Sequence, residues 1–278
     1  MTRPLHALCI AALLAAATLA HAEIDPPAAE NLARKSGLWE QLSGVAAQIE
    51  AGLQQAMHRA QLAPADSEKA RIARVIARAY AADRLRATST GIIAARMQPQ
   101  DVDALRAWFD SPLGQAVAHA EEAISADTAD SATAMKEGLR VLASTPRERR
   151  KLLDDLLAAT HAAEGMVQLT INTTVAVQLG AASAITGVTG PSATQARAAL
   201  EPQRPQMLKA YTALMLSSFA RSYVSLSSEQ LSAYVAFIRS PAGAAFNDVS
   251  LQAMEAALTA AASEMGRSLP GTRDGSNI

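Results

Sequence analysis

The amino-acid sequence predicts an all-α protein, two tandem helical repeat units packed as one helical bundle with pseudo-two-fold symmetry. Three observations carry that expectation. Hydrophobic residues make up 50% of the chain but aromatic ones only 4%, and mean hydropathy is a modest +0.07. Alanine, which is abundant, has the highest helix propensity, whereas strands draw on aromatic and β-branched residues. Apolar positions recur every three or four residues, the period of an amphipathic helix. Finally, one segment of the chain occurs twice.

The N-terminus has the parts of an export signal: Arg3, an apolar stretch over 5–20, and the small-x-small sequence Ala20-His21-Ala22. Residues 1–22 therefore read as a signal peptide cleaved after Ala22, which sends the chain to the periplasm or out of the cell. The apolar run falls short of the roughly 20 residues that a membrane-spanning helix needs. Cys9 is the only cysteine and lies inside this segment, so the mature chain has no thiol. Disulfides, cysteine nucleophiles and cysteine metal sites are thereby excluded. The chain holds 25 Lys and Arg against 26 Asp and Glu, and loss of Arg3 leaves a slight acidic excess. Nucleic-acid capture needs a clear basic excess and is set aside.

The first repeat unit spans 23–145. Residues 23–36, with two prolines, are expected to be poorly ordered. Leu38, Leu42, Val45, Ile49, Leu53 and Met57 describe an amphipathic helix that ends at Pro64. A second helix is expected over 67–97, with Ile72, Val75, Ile76, Tyr80, Leu85, Ile92 and Ile93 turned inward. The duplicated segment follows, then a helix running toward Asp127 and Ser131, and another over 134–143.

The second unit spans 146–269. Thr145-Pro146-Arg147-Glu148 reads as a capping box with proline at the first helical position. Leu152, Leu153, Leu156 and Leu157 give the next helix its apolar face. No charged residue lies between Glu164 and Arg197. Val167, Ile171, Val175 and Leu179 recur there every fourth residue. Gln168, Asn172, Thr173, Thr174 and Gln178 among them argue against a membrane span, because unpaired polar groups are costly in lipid. A helix sandwiched between others, or a self-association surface, is expected. A helix over 200–226 parallels the one over 71–97, and Ser227-Ser228-Glu229-Gln230 opens the second copy of the duplicated segment. Residues 270–278 are expected to form a disordered tail.

The duplicated segment runs over 101–117 and again over 230–246, without a gap, at an offset of 129 residues. Ala104, Ala107, Ser111, Pro112, Gly114 and Ala116 match Ala233, Ala236, Ser240, Pro241, Gly243 and Ala245. Apolar character is kept at Trp108/Phe237, Phe109/Ile238 and Val117/Phe246. Each copy reads as helix, corner, helix. Ser111 and Ser240 are placed to cap a new helix, and Pro112 and Pro241 fall at its first position, where a missing N–H costs nothing. Each proline forces the preceding helix to stop. Gly114 and Gly243 allow the two helices of each corner to approach closely. Reading the serine as a nucleophile fails for want of a partnered base.

A helix ending in an aromatic-x-Ser-Pro-x-Gly sequence, Phe109-Asp110-Ser111-Pro112-Leu113-Gly114 here, resembles domain of unknown function family 2059. The resemblance covers 71–125 and again 203–265, with Ile238 standing where the second copy's aromatic residue would be. It implies an exported helical protein of a Gram-negative bacterium and brings no activity to any residue.

Other constellations are weak. His119 and Glu122 have metal-ligand spacing without a third ligand. Asp127 and Asp130 lack the glycine and closing glutamate of a calcium loop. Arg71, Arg74 and Arg78 share a helix face, a candidate surface for an acidic partner or anionic lipid headgroups. Arg147, Arg149, Arg150 and Lys151 form a second basic cluster, countered by nearby acids. No phosphate loop, dinucleotide fingerprint or hydrolase motif is present. The sequence therefore predicts no enzyme, no cofactor and no metal. It predicts a binding or interaction module for an envelope protein or for a second copy of itself. The alternative is a carrier of an apolar or amphiphilic small molecule between the two units. An open apolar cavity separates the second reading from the first.

Overall fold

The computed structural model describes residues 23–125, 131–185 and 190–269. Residues 1–22, read as a signal peptide, Asp127 and Asp130, Gly187, and residues 270–278, read as a disordered tail, lie outside the described residues. Among those described, every regular element is a helix.

The leading segment is more ordered than its prolines suggest. Asp25 accepts a bond from the amide of Ala28 and starts α1 (Pro26–Lys35), with the prolines at the first two positions. Proline is tolerated there, and Ala28, Ala29, Leu32 and Ala33 give the helix a buried face. Gly37 turns the chain at φ +76° into α2 (Leu38–Arg59), a left-handed conformation that glycine adopts at little cost. Trp39 then takes the Arg34 and Arg86 guanidinium groups over its ring, 3.8 and 4.5 Å from the centroid.

The single helix expected over 67–97 is two: α3 (Asp66–Ala79) and α4 (Ala82–Arg96). No proline or glycine marks the break. The chain bends at Tyr80, which is 3% exposed and packs in the core beside Ile76 and Leu85. Tertiary burial of that ring, rather than a local stop signal, sets the boundary. α5 (Pro99–Asp110) and α6 (Pro112–Ser125) form the first corner, and α7 (Ser131–Ser144) follows.

α8 (Arg147–Thr160) begins without the expected capping box. The Thr145 hydroxyl instead donates to the carbonyl of Val141 at the end of α7. α9 (Ala162–Ala184) is the uncharged stretch, and it is sandwiched against α13, α11 and α10. The helix expected over 200–226 starts earlier and in pieces. Ser192 and Gln195 form a reciprocal capping box for α10 (Ala193–Leu200), and a short 3₁₀ turn leads into α11 (Arg204–Ser222). Ser227 and Gln230 cap α12 (Ser228–Ile238) as expected, and α13 (Pro241–Ser268) completes the second corner.

Two large cores result. One joins α1 to α5 with Phe246, Val249, Ala253, Ala257 and Ala261 of α13. The other joins α6, α7 and α8 with α11 and α12, around Leu142, Leu156, Tyr223 and Leu231. The second helix of each corner, α6 or α13, thus contributes to a core built mainly by the other half of the chain. A smaller cluster surrounds Val167, Ile171 and Val175 of α9. α9 and α13 run in close contact because Gly180 and Gly266 leave room for the backbone of the opposite helix at Ser263 and Val177. No helix among the described residues is long and apolar enough to cross a membrane.

Candidate functional site

The corners form as the sequence dictates. The Ser111 hydroxyl accepts from the amide of Gly114 at 3.0 Å and donates to the carbonyl of Trp108 at 2.6 Å. Ser240 repeats the arrangement with Gly243 at 3.2 Å and Phe237 at 2.6 Å. A side chain at Gly114 would collide with the Trp108 carbonyl, and one at Gly243 with the Phe237 carbonyl.

The sequence does not reveal that the two corners meet. Trp108 stacks on Phe237 with ring centroids 4.0 Å apart and lies nearly parallel to Tyr234 at 5.9 Å. Phe109 meets Phe246 edge-on at 5.8 Å. A cavity of about 210 Å³ opens beside these rings. Its lining comes largely in pairs separated by the 129-residue offset: Trp108 with Phe237, Phe109 with Ile238, Gly114 with Gly243, Val117 with Phe246. Two further pairs differ in chemistry. Ala118 stands where the second corner has Asn247, whose amide donates to the carbonyl of Thr160. Glu121 stands where it has Ser250.

Glu121 accepts a bond from Tyr223 at 2.6 Å and one from Tyr234 at 3.3 Å. Burial pushes its carboxyl up from the ordinary value, opposed by the two hydroxyls, which favour the charged form. Both phenols are themselves buried and pushed well above the usual tyrosine range. The Ser250 hydroxyl is buried without a hydrogen-bond partner. Sequence reading passes over Glu121, because nothing in Glu121-Glu122 says which acid turns inward. Tyr223 and Tyr234, a whole unit later in the chain, are the residues that decide it.

A second, larger cavity of about 520 Å³ lies beyond Leu38, Gln41 and Met254, which line both. Leu42, Val45 and Ile49 of α2 form one wall, Met166, Leu169 and Val177 of α9 the other, and Leu258 and Met265 of α13 belong to the floor. Thr170, Thr173 and Thr174 also line it, yet each hydroxyl is turned back onto a carbonyl of its own helix. Their methyl groups are thus free to face the groove. The polar residues that argue against a membrane span therefore leave this surface apolar. No charged residue lines the groove.

The basic face is partly consumed inside the fold. Arg71 is paired with Glu68 at 2.7 Å and donates to the carbonyl of Leu269, while Arg78 and Arg84 converge on Glu264 at 3.8 and 2.7 Å. Arg74 is exposed. In the second basic cluster, Arg149 donates to the carbonyl of Tyr223 and Lys151 pairs with Asp155. His119 and Glu122 lie 3.4 Å apart on an exposed face, and no group of three potential metal ligands occurs among the described residues.

No curated protein and no solved structure matches the chain. One family does, and the match bears out the resemblance read from the first corner. Residues 83–139, which run through α4, α5, α6 and into α7, match the family described as uncharacterized protein conserved in bacteria (DUF2059).

Proposed function

We propose that this is an exported, non-catalytic binding protein whose two halves arose from one duplicated helical unit. It carries an apolar chain with an uncharged polar head in the groove between α2 and α9. The observation that carries this reading is the open groove of about 520 Å³, largely apolar and without a charged residue in its lining. That volume lies within the usual range of small-molecule sites, which are mostly apolar with a few polar groups at the edge.

The duplication is supported by the order of helices: α2, α4, α5 and α6 stand 129 residues ahead of positions in α9, α11, α12 and α13. A local two-fold axis between the corners accounts for Trp108 meeting Phe237, its own counterpart, since only residues near an axis touch their equivalents. The groove then lies between equivalent helices of the two units. Leu38 to Ile49 spans about 16 Å at 1.5 Å per residue, which suits a medium-length acyl chain. Met166, Met254 and Met265 supply adaptable, polarizable contacts. Gln41 and Gln48, exposed along α2, offer amides to a neutral head.

The test uses the mature chain purified from the periplasm. N-phenyl-1-naphthylamine brightens on entering the groove, and monolauroylglycerol displaces it more effectively than laurate. Val45→Trp, which fills the groove, abolishes both effects. No probe binding, together with a dimer whose interface covers α2 and α9, returns the protein to the role of an interaction module.

A further inference from the structure

The cavity between the corners is chemically unlike the groove, and we propose that it is a separate binding site for a small flat aromatic molecule carrying one hydrogen-bond donor, a phenol or an arylamine. Its volume, about 210 Å³, exceeds the roughly 150 Å³ of an engineered apolar cavity that admits benzene. Its walls are aromatic, with Trp108, Phe109, Phe237 and Phe246 all in the lining. Offset-stacked and edge-on ring contacts reward a planar guest beyond its buried area.

Lys35, paired with Asp110, and Asn247, bonded to the Thr160 carbonyl, have their partners elsewhere, so Ser250 and Glu121 set the ligand's chemistry. The Ser250 hydroxyl is buried in the wall with no partner, a state that costs free energy until a guest supplies the bond. Across the repeat offset from it, Glu121 presents a carboxyl already fixed by two tyrosine hydroxyls. The Glu121 carboxyl acts as an acceptor toward both tyrosine hydroxyls, whereas a serine hydroxyl both accepts and donates. A guest with one O–H or N–H therefore satisfies the pair, and a bare hydrocarbon leaves Ser250 orphaned. The Glu121 and Ser250 positions, which differ across the repeat offset, orient the guest between the aromatic walls.

The chain has two tryptophans, Trp39 and Trp108. In the Trp39→Phe background Trp108 is the sole reporter, and its emission is followed as phenol, p-toluidine and toluene are added to the mature protein. Phenol and p-toluidine are expected to saturate at one equivalent and to bind about tenfold more tightly than toluene, the worth of one hydrogen bond. Ser250→Ala, a substitution that adds no bulk, reduces that preference to less than about threefold. Ala118→Phe closes the pocket and removes binding, with circular dichroism confirming a helical fold. Val45→Trp, in the groove, leaves phenol binding unchanged, which separates this site from the amphiphile site. Equal affinities for phenol and toluene, a preference that survives Ser250→Ala, or no saturable binding of any of the three overturns the proposal.

Discussion

The indole of Trp108 lies flat on the ring of Phe237, 4.0 Å between centroids and 4° from parallel. The two residues occupy the same place in their corners, 129 positions apart. Removing either ring exposes the other. Trp108→Ala and Phe237→Ala are each expected to destabilise the fold by about 3 kcal/mol. A double-mutant cycle in urea is expected to return a coupling of about 1 kcal/mol. Strict additivity would mean that the stack is incidental to the meeting of the corners.

Gly114 and Gly243 should behave alike and opposite to Gly91. A Cβ at either corner collides with backbone, whereas at Gly91, exposed within α4, it meets nothing within 4 Å. Gly114→Ala and Gly243→Ala are expected to lower the urea midpoint by similar amounts. Gly91→Ala should raise stability by about 0.5–1 kcal/mol, because alanine loses less backbone freedom on folding. Unequal losses at the two corners would contradict their common geometry.

The buried carboxyl of Glu121 makes a pH prediction with a definite sign. Burial holds its pKa above the ordinary value of 4.5, so the folded chain keeps this proton longer than the unfolded one. Its contribution is fully present below pH 4.5 and is lost as pH rises through the folded value. Glu121→Gln removes the titration. Unfolding curves taken between about pH 4 and pH 7 should show the variant gaining on the wild type as pH rises. A difference independent of pH would mean that Glu121 is effectively solvated.

Thr170 and Thr173 both line the groove, but of the two only Thr170 holds a partner outside its own helix, the Tyr211 hydroxyl at 2.7 Å. Thr170→Val is expected to cost about 1 kcal/mol, because Tyr211 loses that bond. Thr173→Val removes only a bond to its own helix and should stay within about 0.5 kcal/mol of the wild type. Naphthylamine binding by the Thr173→Val protein should be unchanged, since the methyl-lined surface survives. A large loss at Thr173 would show that its hydroxyl faces the ligand.

Local chemistry was readable in the sequence and long-range placement was not. Ser111, Pro112 and Gly114 state a corner within four residues, because capping, a fixed φ and close approach are all local requirements. The break at Tyr80 leaves no such trace, since the buried ring causes it. Thr145 fits a capping box in sequence, yet a carbonyl one turn back claims its hydroxyl. The arginine face over Arg71, Arg74 and Arg78 reads as free until Glu264 arrives from the far end of the chain. The corner pocket was hidden for the same reason: half of its lining lies in each unit, and spacing within either one gives no hint of the other.

The depth at which α13 enters the core of α1 to α5 bears on the order of folding. Ala253, Ala257 and Ala261 of this core stand far along the chain from Ile24 and Ala28. Helices α1 to α5 pack on one another, but their shared core stays uncovered on the side that α13 occupies until that helix is in place. Contacts of such long sequence separation slow the search for the native state. The core of α1 to α5 is therefore expected to reach its full protection from hydrogen exchange only once α13 has docked.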